Sequence, residues 1–203
     1  MYSVKPPYLI KILSHKLFTW QIKTGDKIIY LTFDDGPTGE LTPWILETLK
    51  EYEAKATFFV VGHNAEKRPD LVKAILEAGH SIGNHTFNHL NGKKTANSEY
   101  YDNIEEADRL IKSKLFRPPY GRIKISQAKQ LKAKYQIVMW SVLSGDFDRK
   151  ITKEKCLRNA IINTNKGSII VFHDNIKAKE NLLFALPAYL KHYSDLGFRF
   201  ESL

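Results

Sequence analysis

Ile28-Ile29-Tyr30-Leu31-Thr32-Phe33 runs directly into Asp34-Asp35-Gly36-Pro37. The first six residues are apolar, aromatic or β-branched and suit a buried strand; the next four are turn formers. The stretch therefore places two adjacent carboxylates at the mouth of a strand. Further along comes a second pair, His85 and His89, spaced i, i+4. One carboxylate and two imidazoles suit a zinc-like ion and leave positions open for water and substrate. The remaining carboxylate then stands beside that water as a general base. On this reading Asp35 binds metal and Asp34 takes the proton. By itself, Asp-Asp-Gly-Pro is equally an ordinary turn from strand to helix.

Outward from this stretch, short apolar runs alternate with longer amphipathic ones. Strands are predicted at 28–33, 56–61, 80–84, 115–116, 136–142, 168–173 and 198–202. Helices are predicted near 41–53, 70–78, 98–113, 125–134, 152–164 and 180–193. Thr42-Pro43 and Arg68-Pro69 suit helix starts, and Gly79 suits a helix end. Strands separated by helices imply right-handed βαβ units and a parallel sheet. Seven such strands with both faces apolar suggest a closed or nearly closed α/β barrel. The chemistry-bearing residues all fall at or beyond carboxyl ends of predicted strands, where parallel barrels build active sites.

Each further group has a structural and a chemical reading. His85 and His89 are read as one face of a helical turn, close enough to share an ion. Asn84 is read as a hydrogen-bonding support for them. His80 is assigned a structural role, and His63 a place in the pocket wall. Arg117-Pro118-Pro119-Tyr120-Gly121 is a stiff loop. Its chemical reading pairs Arg117 with an active-site carboxylate and aims a backbone N–H at a developing oxyanion. His173 ends the most apolar strand, and a carboxylate such as Asp146 would keep it protonated as a general acid.

Composition narrows the classes. At 203 residues, with 43% hydrophobic and 12% aromatic side chains, the chain suits one globular domain. A single cysteine, Cys156, excludes an internal disulfide and reads as a small buried residue. The net charge of +9 is spread over helix-like segments, which suits a solvated basic face better than a nucleic-acid surface. Arg122, Lys124, Arg149, Lys150, Lys177 and Lys179 fall near loops after predicted strands and would favour an anionic glycan if they rim the cleft. No run approaches the ~18 apolar residues of a membrane span. Residues 1–22 read as a lead-in packing on the domain 23–203, in preference to a peripheral membrane contact; Leu9, Leu13 and Leu17 share one helical face. With no readable signal peptide, the chain is expected in the cytoplasm unless export follows another route.

Thr32-Phe33-Asp34-Asp35-Gly36-Pro37, His85-Thr86-x-x-His89, Arg117-Pro118-Pro119-Tyr120-Gly121, Asp146 and Val171-x-His173, in that order, closely resemble the motifs of the polysaccharide deacetylases. This is the NodB-homology domain of carbohydrate esterase family 4, and the likeness runs from about residue 26 to the C-terminus. The resemblance implies a distorted (β/α) barrel of the TIM-like kind, with seven or eight strands. It implies a divalent metal on Asp35, His85 and His89, zinc first, with cobalt, nickel or manganese as alternatives. It also implies Asp34 as catalytic base, His173 as catalytic acid, Arg117 holding Asp34, Asp146 tuning His173, and the Tyr120 backbone at the oxyanion. Pro119, Tyr120, Phe147 and Val171 would contact substrate. Phe147 stands where the family commonly has Trp, and Val171 where it often has Leu, which bears on the acyl group accepted. The implied reaction removes N-acetyl groups from amino sugars of a chitin-like or peptidoglycan-like glycan. O-acetyl esterase action on a polysaccharide such as xylan, and a non-catalytic glycan-binding module, are the alternatives.

Overall fold

The computed structural model describes residues 3–203. After α1 (Tyr8–Ser14), the chain alternates strands and helices. β1 (Ile28–Asp34) leads to α2 (Leu41–Glu51), and β2 (Thr57–Val60) to α3 (Gly62–Lys67) and α4 (Pro69–Glu77). β3 (Ser81–Asn84) precedes α5 (Asn97–Ile111), and β4 (Leu115–Phe116) precedes α6 (Ile125–Leu131). Two short strands follow, β5 (Gln136–Ile137) and β6 (Val142–Leu143), then α7 (Lys153–Asn163), β7 (Ile169–His173), α8 (Lys179–Asp195) and β8 (Arg199–Glu201). Every strand pairing is parallel, in the order β5-β4-β3-β2-β1-β7-β6, with β8 beside the lower half of β1. The chain is a single α/β domain, a distorted parallel barrel.

The expected strand 136–142 is two strands, and the reason lies in its partners. Val138 N–H donates to Phe116 O at 2.8 Å, towards β4, whereas Ser141 N–H donates to Ile169 O at 3.0 Å, towards β7. One segment thus crosses between the two edges of the curved sheet. Thr19 seals the seam: its N–H donates to Ile137 O, and its carbonyl accepts from Met139 N–H. This split raises the strand count from the expected seven to eight. α3 was absent from the sequence-based expectation; its six residues are too short for a periodic apolar signal.

Alternation along the strands decides which side chains reach the centre. On β1, Ile29, Leu31 and Phe33 join the main core against the helices, as do Phe58 and Val60 of β2 and Ile170 and Phe172 of β7. Phe33 stacks on Phe58 with ring centroids 5.1 Å apart. The opposite parity faces inward: Tyr30 with Phe59, Ile169 and Val138 in an inner cluster, then Thr32 and Asp34 above. The inner positions are apolar low in the barrel and polar at the carboxyl ends. Local signals agree with this frame. Pro69 opens α4, Asp70 sits in its first turn, and Gly79 beyond its end has φ +77, a conformation that favours glycine. Cys156 is buried in α7, and burial pushes its thiol pKa up.

Candidate active site

Asp34, the last residue of β1, is 4% exposed and points inward because Thr32 and Tyr30 do. Arg117 follows β4 and is fully buried. Its Nη1 donates to Asp34 Oδ1 at 2.6 Å and to Thr32 Oγ1 at 2.8 Å, its Nε to Val138 O and its Nη2 to Met139 O. Its guanidinium carbon lies 4.0 Å from the centre of the Phe59 ring. A buried cation costs several kcal/mol unless paired and hydrogen-bonded, and here every face has a partner. With Oδ1 held by Arg117, Asp34 Oδ2 lies 4.0 Å from His85 Nε2.

Asp35 turns out of the strand with φ +80. Its Oδ1 lies 3.6 Å from His85 Nε2 and 3.0 Å from His89 Nε2. One ligand atom from each of the three residues lies within 4.8 Å of the others. His85 Nδ1 must donate to Arg117 O at 2.7 Å, since a carbonyl only accepts, so Nε2 carries the lone pair facing Asp35. A carboxylate and two imidazoles with the tautomer fixed from behind fit a zinc-like divalent ion. Burial pushes the Asp35 carboxyl up, but the imidazoles of His85 and His89 around it and the charge of His173 outweigh that and hold it well below the usual carboxylate range.

The two histidines do not share a helical turn. The chain from 85 to 91 is a loop with φ +61 at Thr86 and +56 at His89. Side chains replace the missing helical bonds. Asn84 Oδ1 accepts from Thr86 N–H, Asn103 Oδ1 accepts from Phe87 and Asn88 N–H, and Thr86 Oγ1 accepts from Leu90 N–H. Asn84 therefore supports the loop, and its Nδ2 donates to Ile104 O.

Opposite, His173 ends β7. Its Nδ1–H donates to Asp146 Oδ1 at 2.8 Å, and its backbone N–H donates to Asp146 Oδ2 at 2.6 Å. Burial alone would lower the His173 pKa, but the Asp146 charge and hydrogen bond, with Asp35 and Asp34 behind them, raise it to about 9. The imidazolium form therefore predominates at neutral pH.

These groups share one cleft of about 830 Å³. Asp34, Asp35, His85, His89, Tyr120, Phe147, Val171 and His173 line it; Arg117 and Asp146 support it from behind. The Phe147 ring stands edge-on to His173, centroids 4.9 Å apart, and Val171 is fully buried below. Tyr120 adopts φ +60, and its hydroxyl lies 3.2 Å from His89 Nδ1. Pro119 is buried and does not line the cleft. His63 does not line it either; its neighbour Asn64 does. His80 is buried, accepts Ala56 N–H at Nδ1, and is pushed by burial to a pKa of about 4. Of the six basic residues near the loops, Arg122 and Lys177 line the cleft, while Lys124 binds Thr95 O and Lys179 pairs with Glu40.

Sequence reasoning missed three supports. Asn175 Nδ2 donates to Asp35 Oδ2 at 2.5 Å, and Asn64 Nδ2 donates to Asp35 O at 2.7 Å. Asp174 is fully buried, accepts from Thr38 and Thr42 hydroxyls, and sits where a Cβ on Gly36 would lie 2.2 Å from its Oδ2. The signal for Asp174 and Asn175 was their position directly after His173.

Comparison with known proteins agrees with this geometry. The sequence profile of the polysaccharide deacetylase family matches residues 21–138. A peptidoglycan-N-acetylglucosamine deacetylase of Bacillus cereus is 35% identical over 192 residues, 91% of this chain and 90% of its own length. A chitooligosaccharide deacetylase of Azorhizobium caulinodans is 33% identical over 79% of this chain and 80% of its own. A crystal structure of the Bc1960 peptidoglycan N-acetylglucosamine deacetylase superposes with a TM-score of 0.89 at 33% identity, covering 97% of this chain and 94% of that one.

Proposed function

The chain belongs to the polysaccharide deacetylase family, and from that membership and the geometry of its cleft we propose that it is a metal-dependent hydrolase that removes N-acetyl groups from amino sugars of a glycan, N-acetylglucosamine of peptidoglycan first among them. One observation carries this reading. A buried carboxylate fixed by Arg117, a three-residue ligand cluster and an imidazole of raised pKa face the same cleft.

Asp35, His85 and His89 would hold a divalent ion, zinc first, whose Lewis acidity polarises the amide carbonyl and acidifies the attacking water. Asp34 takes the proton from that water. Arg117 fixes one of its oxygens and leaves the other towards His85, so the base is oriented before substrate arrives. In the tight turn closed by Gly121 N–H on Pro118 O, the backbone N–H of Tyr120 would meet the oxyanion that forms as the carbonyl becomes tetrahedral. His173 then protonates the amide nitrogen. An amine cannot leave as its anion, and an imidazolium held by Asp146 on Nδ1 has its Nε2 proton available to the cleft. The C–N bond breaks, giving acetate and a free amine. Phe147 and Val171 form an apolar wall beside His173 that would seat the acyl methyl.

The test is acetate release from peptidoglycan fragments, chitin oligomers and acetylxylan, with and without chelator and added zinc. Chelator-sensitive release from an N-acetylated glycan is expected. Asp34→Asn and His173→Ala should each slow it at least ~100-fold. Release from acetylxylan alone, or near-normal turnover in either variant, would refute the reading.

A further inference from the structure

α1 has no buried residue. Tyr8, Leu9, Ile10, Ile12 and Leu13 are exposed by 77, 64, 49, 45 and 76%. Leu17 and Phe18, just beyond, do pack on the domain, so the segment is anchored with its apolar side chains turned outward. Further ties hold it: Leu143 N–H donates to Val4 O, Trp20 Nε1 donates to Ser14 Oγ, and Thr19 is pinned in the barrel seam. A seven-residue helix is not stable in water on its own propensity, and exposing five large apolar side chains on it gains nothing in solvent.

The charge around this patch has one sign. Residues 1–25 contain four lysines and neither Asp nor Glu. A groove of about 760 Å³ beside α1 is lined by Lys11, His15, Lys23 and Lys166 among Phe18 and Trp20, with no acidic residue. An aromatic and aliphatic surface flanked by lysines matches the boundary between acyl chains and anionic headgroups. A second copy of the chain fits less well, because pairing two such patches would bring lysines face to face with no acid between them.

We propose that α1 and the basic groove beside it dock this protein on an anionic phospholipid bilayer. Tyr8, Leu9, Ile12 and Leu13 enter the headgroup boundary, and Lys5, Lys11, Lys16 and Lys23 meet the phosphates. Val4, four residues ahead of α1, is hydrogen-bonded to Leu143, which lines the cleft, so the segment that carries α1 passes beside the cleft before it reaches the docking surface. A docked protein would hold that cleft close to the lipid surface.

The full chain should co-sediment with vesicles of mixed phosphatidylglycerol and phosphatidylcholine, less so as salt is added, and not with phosphatidylcholine alone. Leu9→Ser with Leu13→Ser should weaken partitioning at least ~10-fold. Lys11→Glu with Lys16→Glu should weaken it at least ~30-fold. Lys129→Glu with Lys132→Glu, on exposed positions of α6 and its C-cap, makes the same charge change elsewhere and should weaken it far less. Circular dichroism would show that each variant is folded. No sedimentation with the mixed vesicles, equal loss in the α6 control, or retention unchanged by the leucine substitutions would overturn the proposal. So would a dimer in light scattering that disappears with Leu9→Ser and Leu13→Ser, since it would assign the patch to a second copy.

Discussion

Arg117→Met removes the charge that sits behind the active-site carboxylate while keeping most of the side-chain volume. Arg117 is fully buried and Asp34 is 4% exposed, so water can replace the lost partner only poorly. Breaking a buried ion pair from one side costs about 3–5 kcal/mol, because the remaining charge is left unpaired. Thr32 Oγ1, Val138 O and Met139 O lose a donor as well, each capable of adding about 1 kcal/mol. Against a typical domain stability of 5–15 kcal/mol, the loss should be plainly measurable. Urea unfolding followed by circular dichroism is the assay. It should be run with chelator present, because metal bound to the native state would add its own stabilisation. The diagnostic arm is a double-mutant cycle with Asp34→Asn. If the cost comes from an unpaired carboxylate, removing that charge should return about 1–3 kcal/mol, so the double variant is less destabilised than the sum of the singles. A loss below about 1 kcal/mol in Arg117→Met, or simple additivity in the cycle, would refute the claim that Arg117 chiefly neutralises Asp34.

Three further outcomes follow from the same geometry. His173 has a folded-state pKa of about 9 against an ordinary 6.5, so its pairing with Asp146 stabilises the fold fully below pH 6.5 and is lost as pH rises through 9. Metal-free protein should therefore lose urea resistance between those values and Asp146→Asn should lose less; parallel pH profiles would contradict the pairing. Asn175→Ala removes the amide that holds Asp35 Oδ2 and should weaken zinc binding about 10–100-fold in a competition titration, with unchanged affinity counting against it. Gly36→Ala would place a methyl 2.2 Å from Asp174 Oδ2, which Thr38 and Thr42 pin, and should cost about 1–3 kcal/mol in thermal or urea unfolding; a neutral effect would show that the Asp174 network yields easily.

The sequence was most informative where one local rule decided the outcome. Asp34 and His173 end long buried strands, so alternation and strand polarity alone bring them to one end of the barrel. Arg117 sits after a two-residue strand, where periodicity carries almost nothing, and only its stiff Pro-Pro loop marked it. The His85–His89 spacing was read as helical because i, i+4 is a helical spacing, yet the same separation arises from a loop with two left-handed residues. Asn103, fifteen or so residues away in sequence, supplies the acceptor that holds that loop, and no local window contains it. The seam at 138–141 was hidden for a related reason. An apolar run looks the same whether it pairs along its length with one strand or changes partners halfway.

Asn175 shows most directly why the supporting residues of the site were harder to see than its reacting ones. Its Oδ1 accepts from Ala178 N–H, an ordinary local turn contact, while its Nδ2 reaches Asp35 from 140 positions away. Judged by neighbours in the chain, it is a turn residue before α8, and that assignment is correct. The second role exists only because β1 and β7 are adjacent and in register, pairing Asp34 with His173 so that the residues just beyond them meet. The register follows from hydrophobic alternation on both strands, since a one-residue slip would turn Phe33 and Phe172 into the barrel and Asp34 and His173 out towards the helices. The contact that steadies the proposed metal ligand is thus fixed by apolar residues that never touch it. Exchanging inward and outward residues on β7 should damage metal binding as surely as removing a ligand.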